Sequence, residues 1–223
     1  MKIKKQHRPL VNIIAFSGLY LVLIYTIASL PATVWLRFTP DISSAIHLSN
    51  NVFIGCHIIV AILGIWLFQA TLKRDAHWVK QHIIKTILFA LLGMVAIIIS
   101  GMLFIHGSSD NEQNLQFMMN HMTPLQLWLF QIVVVVIGPL NEEFMFREVI
   151  IGQCSHYLPK YILWVISSAL FALIHIPNLA ALPQALPYFV NGLIIGFVYI
   201  KGDNNVLCSY SLHLLNNLLS LIV

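Results

Sequence analysis

The sequence predicts an all-α fold, a polytopic bundle of about seven transmembrane helices. Hydrophobic residues make up 59% of the 223-residue chain and charged residues only 9%, whereas soluble globular domains carry about 25% charged residues. The mean hydropathy is +0.85, and several apolar runs reach the ~20 residues that a helix needs to cross a bilayer. A second soluble domain of ~100–150 residues would not fit beside these runs. We therefore expect one membrane-embedded unit in contact with the lipid bilayer.

Seven apolar segments are candidate membrane helices, separated by polar or proline- and glycine-containing connections. In chain order they lie at about 10–36, 52–71, 83–105, 125–156, 160–176, 183–200 and 206–223. The first segment follows basic residues but is far longer than the ~7–15 apolar residues of a cleaved signal peptide. It is expected to be an uncleaved signal anchor.

The basic residues fall on one side of the membrane if the N-terminus is cytoplasmic, as the positive-inside rule requires. They are Lys2, Lys4, Lys5, Arg8, Lys73, Arg74, Lys80, Lys85, Lys160 and Lys201, with Arg37 as the exception. The 106–124 connection has acidic residues but no lysine or arginine, as expected of an external loop. The net charge of +4 is dispersed over short loops, so no nucleic-acid partner is expected.

Glu142, Glu143 and Arg147, with Glu148 beside them, are ionisable residues that stand inside the fourth apolar segment. A charged residue at a helix centre costs roughly 2.5–3.5 kcal/mol, so such residues are expected to pair or to face a wet cavity. The Gly138–Pro139 pair just before them predicts a kink or a restarted helix. A helix from about Gln131 to His156 is favoured over one that begins at Leu125.

Polar residues on the following helices are predicted to lie at a similar depth. In the favoured placement, Glu142 lies ~21 Å from the cytoplasmic end of its helix, and His175 lies ~22 Å along the next one. His213 and Asn217 are spaced i,i+4 and share one face of the last helix. This coincidence predicts an intramembrane active-site cavity.

These residue types can hydrolyse a peptide bond. Glu142 and His175 could hold a water molecule and remove its proton, while His213 and Asn217 could donate hydrogen bonds to the oxyanion. Arg147, one turn after Glu143, could compensate the buried negative charge. Zinc is also possible chemically, because Glu142, His175 and His213 would form an open three-ligand site, and the residues alone leave this question open.

Other chemistries fit the sequence less well. Ser168 and Ser209 stand in no activating motif, and we expect their hydroxyls to bond back to their own helices. A transporter could also use buried glutamate and histidine residues to relay protons, but the chain shows no repeat symmetry that would favour one.

Three motifs in order, Glu142-Glu143-x-x-x-Arg147, Phe171-x-x-x-His175 and His213-x-x-x-Asn217, resemble those of the CAAX-protease and bacteriocin-processing family of intramembrane proteases, also called the Abi family. The resemblance covers about residues 125–220. It implies that Glu142 and His175 activate water, that His213 and Asn217 support the oxyanion, and that Glu143 and Arg147 are structural or electrostatic partners. It leaves metal dependence open.

The resemblance also divides the chain into N-terminal helices of unassigned role, 1–124, and a protease core, 125–223. A short chain without an added domain is similar to the bacterial members, which are associated with bacteriocin self-immunity, peptide maturation or surface-protein processing. It implies a bacterial cell-membrane location and a hydrophobic peptide or membrane-protein substrate. The alternative is a non-proteolytic immunity or scaffold protein that keeps the polar cluster for stability.

Overall fold

A computed structural model describes residues 9–104 and 109–222, and every regular element in this part of the chain is helical. The all-α prediction is therefore confirmed. The helices are α1 (Pro9–Tyr20, continued by the π-helical segment Leu21–Ile27), α2 (Ala32–Trp35), α3 (Ile42–Leu67), α4 (Gln69–Gln81), α5 (Ile83–Phe104), α6 (Asp110–Asn120), α7 (Pro124–His156), α8 (Lys160–Leu173), α9 (Ala185–Lys201) and α10 (Val206–Ile222).

Within the described residues, five helical segments are long and apolar enough to cross a membrane: Leu10–Ile27, Ile42–Leu67, Ile83–Phe104, Pro124–His156 and Leu179–Lys201. Two shorter apolar helices, α8 and α10, complete the seven predicted segments. The chain is thus an integral membrane protein. The basic residues at positions 2–8, on which the signal-anchor prediction depends, lie outside the described residues, as do the predicted helix ends at 105 and 223.

The sequence predictions fail mainly at helix ends and in connections. The second span begins at Ile42 rather than near 52, because the side chain of Asp41 accepts a hydrogen bond from the Ser44 N–H and caps the helix. The connections after the second and third spans contain the amphipathic helices α4 and α6. Helix α6 begins with a capping box between Ser109 and Glu112.

Helix α7 is continuous through Gly138–Pro139. Of the two predicted alternatives, the restarted helix is therefore wrong and the kink stays a prediction. Helix α7 begins at Pro124, where Thr123 and Gln126 form a capping box, rather than at Gln131. The proline is accommodated by a change of winding, because Val133–Ile137 and Glu143–Gln153 are π-helical. Such π-helical turns occur frequently at functional sites.

An aromatic core joins the N-terminal helices to α7. Phe16 on α1 packs edge-on against Phe68 and Phe144, with ring centroids 5.2 and 5.9 Å apart. Each such pair contributes roughly 0.5–1.5 kcal/mol beyond area burial. Gly64 on α3 allows this approach, since a Cβ atom there would stand 2.7 Å from the Phe144 ring. Small residues bring membrane helices together in this way.

The start of α10 is held by α4. The carboxylate of Asp75 accepts a hydrogen bond from the Val206 N–H at 2.7 Å. Asn205 caps the same helix by accepting from the Cys208 N–H at 2.9 Å, and its side-chain amide donates to the Asp75 carbonyl at 3.1 Å. Residues on α4 therefore set the position of α10, which carries two of the motif residues.

Two basic residues from different connections, Arg74 and Lys160, meet a third connection at one end of the bundle. Arg74 donates to the Asn204 carbonyl and Lys160 to its side-chain oxygen, both at 3.0 Å. At the other end, the Ser109 and Tyr188 hydroxyls are 2.8 Å apart. The basic residues Arg74 and Lys160 thus lie at the end opposite Ser109, as the predicted grouping of positive charges requires. Which end faces the cytoplasm stays a prediction.

Candidate active site

The two glutamates of α7 are neighbours in the chain but lie in different surroundings. The side chain of Glu143 is 0% exposed, whereas that of Glu142 is 19% exposed. Successive side chains point about 100° apart around an α-helix, which lets the two differ in exposure. Glu142 is the glutamate that water or a substrate can reach.

His213 on α10 contacts both glutamates. Its Nδ1 lies 2.9 Å from Oε1 of Glu143, and its Nε2 lies 3.5 Å from Oε2 of Glu142. The first distance is that of a hydrogen bond and the second is too long for a good one. Because a carboxylate only accepts hydrogen bonds, Nδ1 is the donor to Glu143. This bond fixes the orientation of the imidazole ring and directs Nε2 toward Glu142.

Arg147 supplies the positive charge that the buried glutamate needs. Its Nε lies 3.5 Å from Oε2 of Glu143, and both side chains are 0% exposed. The guanidinium group lies over the Phe171 ring, 5.2 Å from its centroid, and Nη1 donates to the Ser167 hydroxyl at 3.4 Å. Nη2 of Arg147 and Oε2 of Glu143 have no hydrogen-bond partner. The pair is thus compensated in charge but incompletely hydrogen-bonded.

His175 lies just beyond the end of α8 rather than within the helix as predicted, because α8 ends at Leu173. Its Nδ1 donates to the Phe171 carbonyl at 2.7 Å, so Nε2 carries the lone pair. The ring stacks on Tyr188, with centroids 4.5 Å apart, and interacts electrostatically with Glu142. His175 is half-buried. It therefore combines partial access with a free hydrogen-bond acceptor.

Asn217 is bound to the backbone of α7. Its Nδ2 donates to the Val134 carbonyl at 3.0 Å. In a π-helical turn that carbonyl would pair with the N–H five residues later, which is the missing N–H of Pro139. Asn217 thus compensates for the proline. Its other hydrogen-bond contact is with Asn216 at 3.2 Å, so the structure does not join Asn217 to the glutamates and histidines by hydrogen bonds.

Two groups that position the motif residues were not predicted from the sequence. Ser167 accepts from Arg147 and donates to the Phe146 carbonyl at 2.6 Å, and Tyr188 supports the His175 ring. The serines Ser168 and Ser209 donate to carbonyls of their own helices at 2.8 and 3.1 Å, as expected. Only the fold brings the positioning residues to the site, so spacing along the chain gave no signal for them.

The site residues do not have the arrangement of a metal centre. Among residues 9–104 and 109–222, no group of three or more His, Cys, Asp or Glu side chains is placed to hold a metal ion. Both ring nitrogens of His213 already face carboxylates. The two clearest grooves on this part of the molecule, beside Lys85 and beside His121, contain no motif residue. The predicted zinc site and active-site cavity stay predictions.

Comparisons with known proteins agree with the motifs. Residues 124–219 match the model of a family described as type II CAAX prenyl endopeptidase Rce1-like. The chain is 26% identical over 155 residues to the Bacillus subtilis (strain 168) protein named Putative membrane peptidase YdiL. The aligned region covers 67% of this chain and 60% of that protein. The chain is 41% identical over 69 residues to UPF0177 protein YxdF of Lactococcus lactis subsp. lactis (strain IL1403), covering 31% of this chain and 36% of that protein.

The chain therefore spans less than two thirds of each of these relatives. No solved structure matches. The matched region contains all six motif residues, including the buried Glu143, Arg147 and His213 and the more accessible Glu142 and His175. Through this region, the chain is similar to the CAAX-protease family of membrane peptidases.

Proposed function

We propose that this protein is an intramembrane endopeptidase that hydrolyses a peptide bond of a hydrophobic peptide or membrane protein with water activated by Glu142 and His175. One observation supports the proposal most directly. Within the polar cluster, Glu142 and His175 are the partly accessible members, while Glu143, Arg147 and His213 are buried. This division is expected if two residues meet the reactants and three hold them in place.

The mechanism begins with a water molecule between Glu142 and His175. One hydrogen of the water points to the Glu142 carboxylate and the other to Nε2 of His175, which leaves an oxygen lone pair free for the scissile carbonyl carbon. As the C–O bond forms, the first proton moves to Glu142. Glu142 then gives it to the leaving amine nitrogen when the C–N bond breaks. The carboxylate is thereby regenerated.

The buried residues have supporting roles in this proposal. Arg147 and His213 hold Glu143, and the same His213 ring limits the movement of Glu142. Nε2 of His213 is the predicted donor to the oxyanion. Because Nδ1 already donates to Glu143, Nε2 can donate only when the ring carries both protons. The ring would also have to exchange its 3.5 Å contact with Glu142 for the substrate oxygen. Asn217 retains a second amide hydrogen beside the one bonded to Val134.

The biological role is proposed from the same resemblance. Both named relatives are bacterial, which supports a bacterial cell-membrane protein. A role in bacteriocin self-immunity or peptide maturation is proposed from the family resemblance of the motifs. The alternative is an immunity or scaffold protein that cleaves nothing. The buried Glu143–Arg147 pair is consistent with this alternative, because a buried ion pair can serve the stability of the fold without taking part in a reaction.

Glu142→Gln separates the two functions, because glutamine is nearly isosteric but cannot act as a base. We expect cleavage of a panel of hydrophobic peptides by purified protein to fall by ~10² or more, with normal accumulation in the membrane. His175→Ala should do the same, and the double variant should be no worse, since residues that act as one unit are not additive. Full activity or full protection in either variant would contradict the protease proposal.

Glu148→Gln is the matched control. Glu148 lies on the same helix and is buried, but its carboxylate contacts Thr71 and Tyr199 rather than the motif residues. Its substitution should leave the cleavage rate within a few fold of wild type. Metal analysis of the purified protein, together with activity after chelation, tests the zinc prediction separately.

A further inference from the structure

The N-terminal helices carry no motif, yet α3 places a third histidine beside the proposed base. His57 is 7% exposed and interacts electrostatically with Glu142. It lies outside residues 124–219, the region that matches the family. The electrostatic interaction therefore links the region of unassigned role to the proposed catalytic carboxylate.

The imidazole of His57 has the same hydrogen bonding as that of His175. Nδ1 of His57 donates to the Phe53 carbonyl at 2.9 Å, and the ring lies 4.2 Å from the Phe53 ring. In His175 the corresponding distances to Phe171 are 2.7 and 4.6 Å. A carbonyl can only accept, so in both histidines Nδ1 carries the hydrogen and Nε2 is an acceptor.

This arrangement alone does not identify a functional histidine. His121 has it too, with Nδ1 2.8 Å from the Phe117 carbonyl, but His121 is exposed. What distinguishes His57 and His175 from His121 is that each combines this geometry with burial or partial burial and with proximity to Glu142. His121 is consequently an internal control for any effect of the shared geometry.

A hydrogen bond fixes the His57 backbone relative to the residue that precedes the base. The side-chain amide of Asn141, the residue before Glu142, donates to the His57 carbonyl at 2.9 Å. Asn141 is 1% exposed, so this hydrogen bond is shielded from competing water. It ties α3 to α7 at the level of the catalytic carboxylate.

We infer that His57 is a positioning residue for Glu142. When the Glu142 carboxyl group carries the transferred proton, Nε2 of His57 accepts a hydrogen bond from that carboxyl group or from its bound water. The inference rests on the proposed function. It means that the protease core is incomplete without α3. His57 acts through Glu142 and does not touch the substrate.

Two substitutions at one position test this role. His57→Phe keeps an aromatic ring against Phe53 but removes the acceptor, whereas His57→Gln puts an amide oxygen near the place of Nε2. We expect kcat on the peptide panel to fall about 10- to 100-fold in His57→Phe with little change in KM, because a misplaced catalytic group can cost 10²-fold. His57→Gln should recover most of the rate. A purely packing role predicts the opposite order.

His121→Phe is the matched control and should keep the wild-type kcat. Wild-type kcat in His57→Phe, or equal losses in the Phe and Gln variants, would overturn the inference while leaving the proposed function intact. Absence of any Glu142-dependent cleavage by the wild-type protein would overturn both.

A cross-linking measurement covers the case in which His57→Phe fails to fold. In a chain without Cys56, Cys154 and Cys208, cysteines at positions 57 and 142 should be joined by a short bifunctional thiosulfonate, whereas cysteines at 121 and 142 should not. Failure of the first pair to react would overturn the inference whatever the activity assay gives.

Discussion

Two polar clusters hold α10, and they differ in how completely their hydrogen bonds are formed. The anchor cluster, at one end of the bundle, consists of Arg74, Asp75, Asn204 and Asn205. The motif cluster, inside the bundle, consists of Glu142, Glu143, Arg147 and His213. In the anchor cluster both carboxylate oxygens of Asp75 and both side-chain groups of Asn205 are bonded. In the motif cluster four buried atoms have no hydrogen-bond partner: Oε2 of Glu142, Oε2 of Glu143, and Nε and Nη2 of Arg147.

The difference is the one expected between a structural cluster and the proposed functional one. Buried polar groups are nearly always hydrogen-bonded, and a partly satisfied network costs stability. The anchor cluster meets this requirement with backbone groups at a helix start. The motif cluster leaves buried polar atoms without partners, which is expected where a site is built to receive reactants rather than to stabilise the fold.

The largest expected effect is on the motif cluster. Arg147→Met leaves Glu143 buried without a compensating charge, and breaking such a pair typically costs 3–5 kcal/mol. Arg74→Met in the anchor cluster should cost about 1 kcal/mol or less, since the Arg74 side chain is 46% exposed. Denaturant unfolding of the detergent-solubilised variants measures both values. Equal losses would mean that the two clusters do not differ in this way.

A double variant sharpens the same measurement. Arg147→Met with Glu143→Gln removes both charges of the buried pair, so much of the lost stability should return. Activity should not return with it, because His213 would lose its carboxylate partner.

A smaller effect is expected at Asn217, which stabilises α7 through Val134 and is proposed to support the oxyanion. Asn217→Ala leaves the Val134 carbonyl unpaired and should cost about 1–3 kcal/mol. Pro139→Ala supplies the missing N–H, so the double variant should recover stability. If Asn217 also serves the oxyanion, cleavage should remain low in the double variant. Full recovery of stability and of cleavage in the double variant would restrict Asn217 to a structural role.

The smallest effect concerns the anchor cluster and pH. Burial raises the pKa of Asp75 to about 6, although Arg74 opposes the shift. The folded protein therefore holds this proton more tightly than the unfolded chain, and the stability contributed by Asp75 falls as pH rises from about 4 to about 6. We expect a melting temperature a few degrees higher at pH 5 than at pH 7. The difference should shrink in Asp75→Asn and persist in the Asp110→Asn control.

The sequence by itself determined the fold class, the approximate spans and the six motif residues. Low charge and long apolar runs leave a chain few alternatives to membrane helices, because only helices and closed barrels satisfy the backbone in lipid. Ionisable residues at membrane depth are costly enough to be conspicuous. For these reasons Glu142, Glu143, Arg147, His175 and His213 could be selected without a structure, and Asn217 through its i,i+4 spacing from His213.

The tertiary structure alone decided how these residues are used together. The continuation of α7 through Pro139 depends on Asn217, a residue 78 positions later, and no local pattern contains that information. The burial of Glu143 and the exposure of Glu142 follow from packing around α7, not from their identical side chains. The approach of His57 to Glu142 likewise depends on the packing of α3 against α7. Contacts between distant segments are set by packing, whereas periodicity and hydropathy record only local preferences.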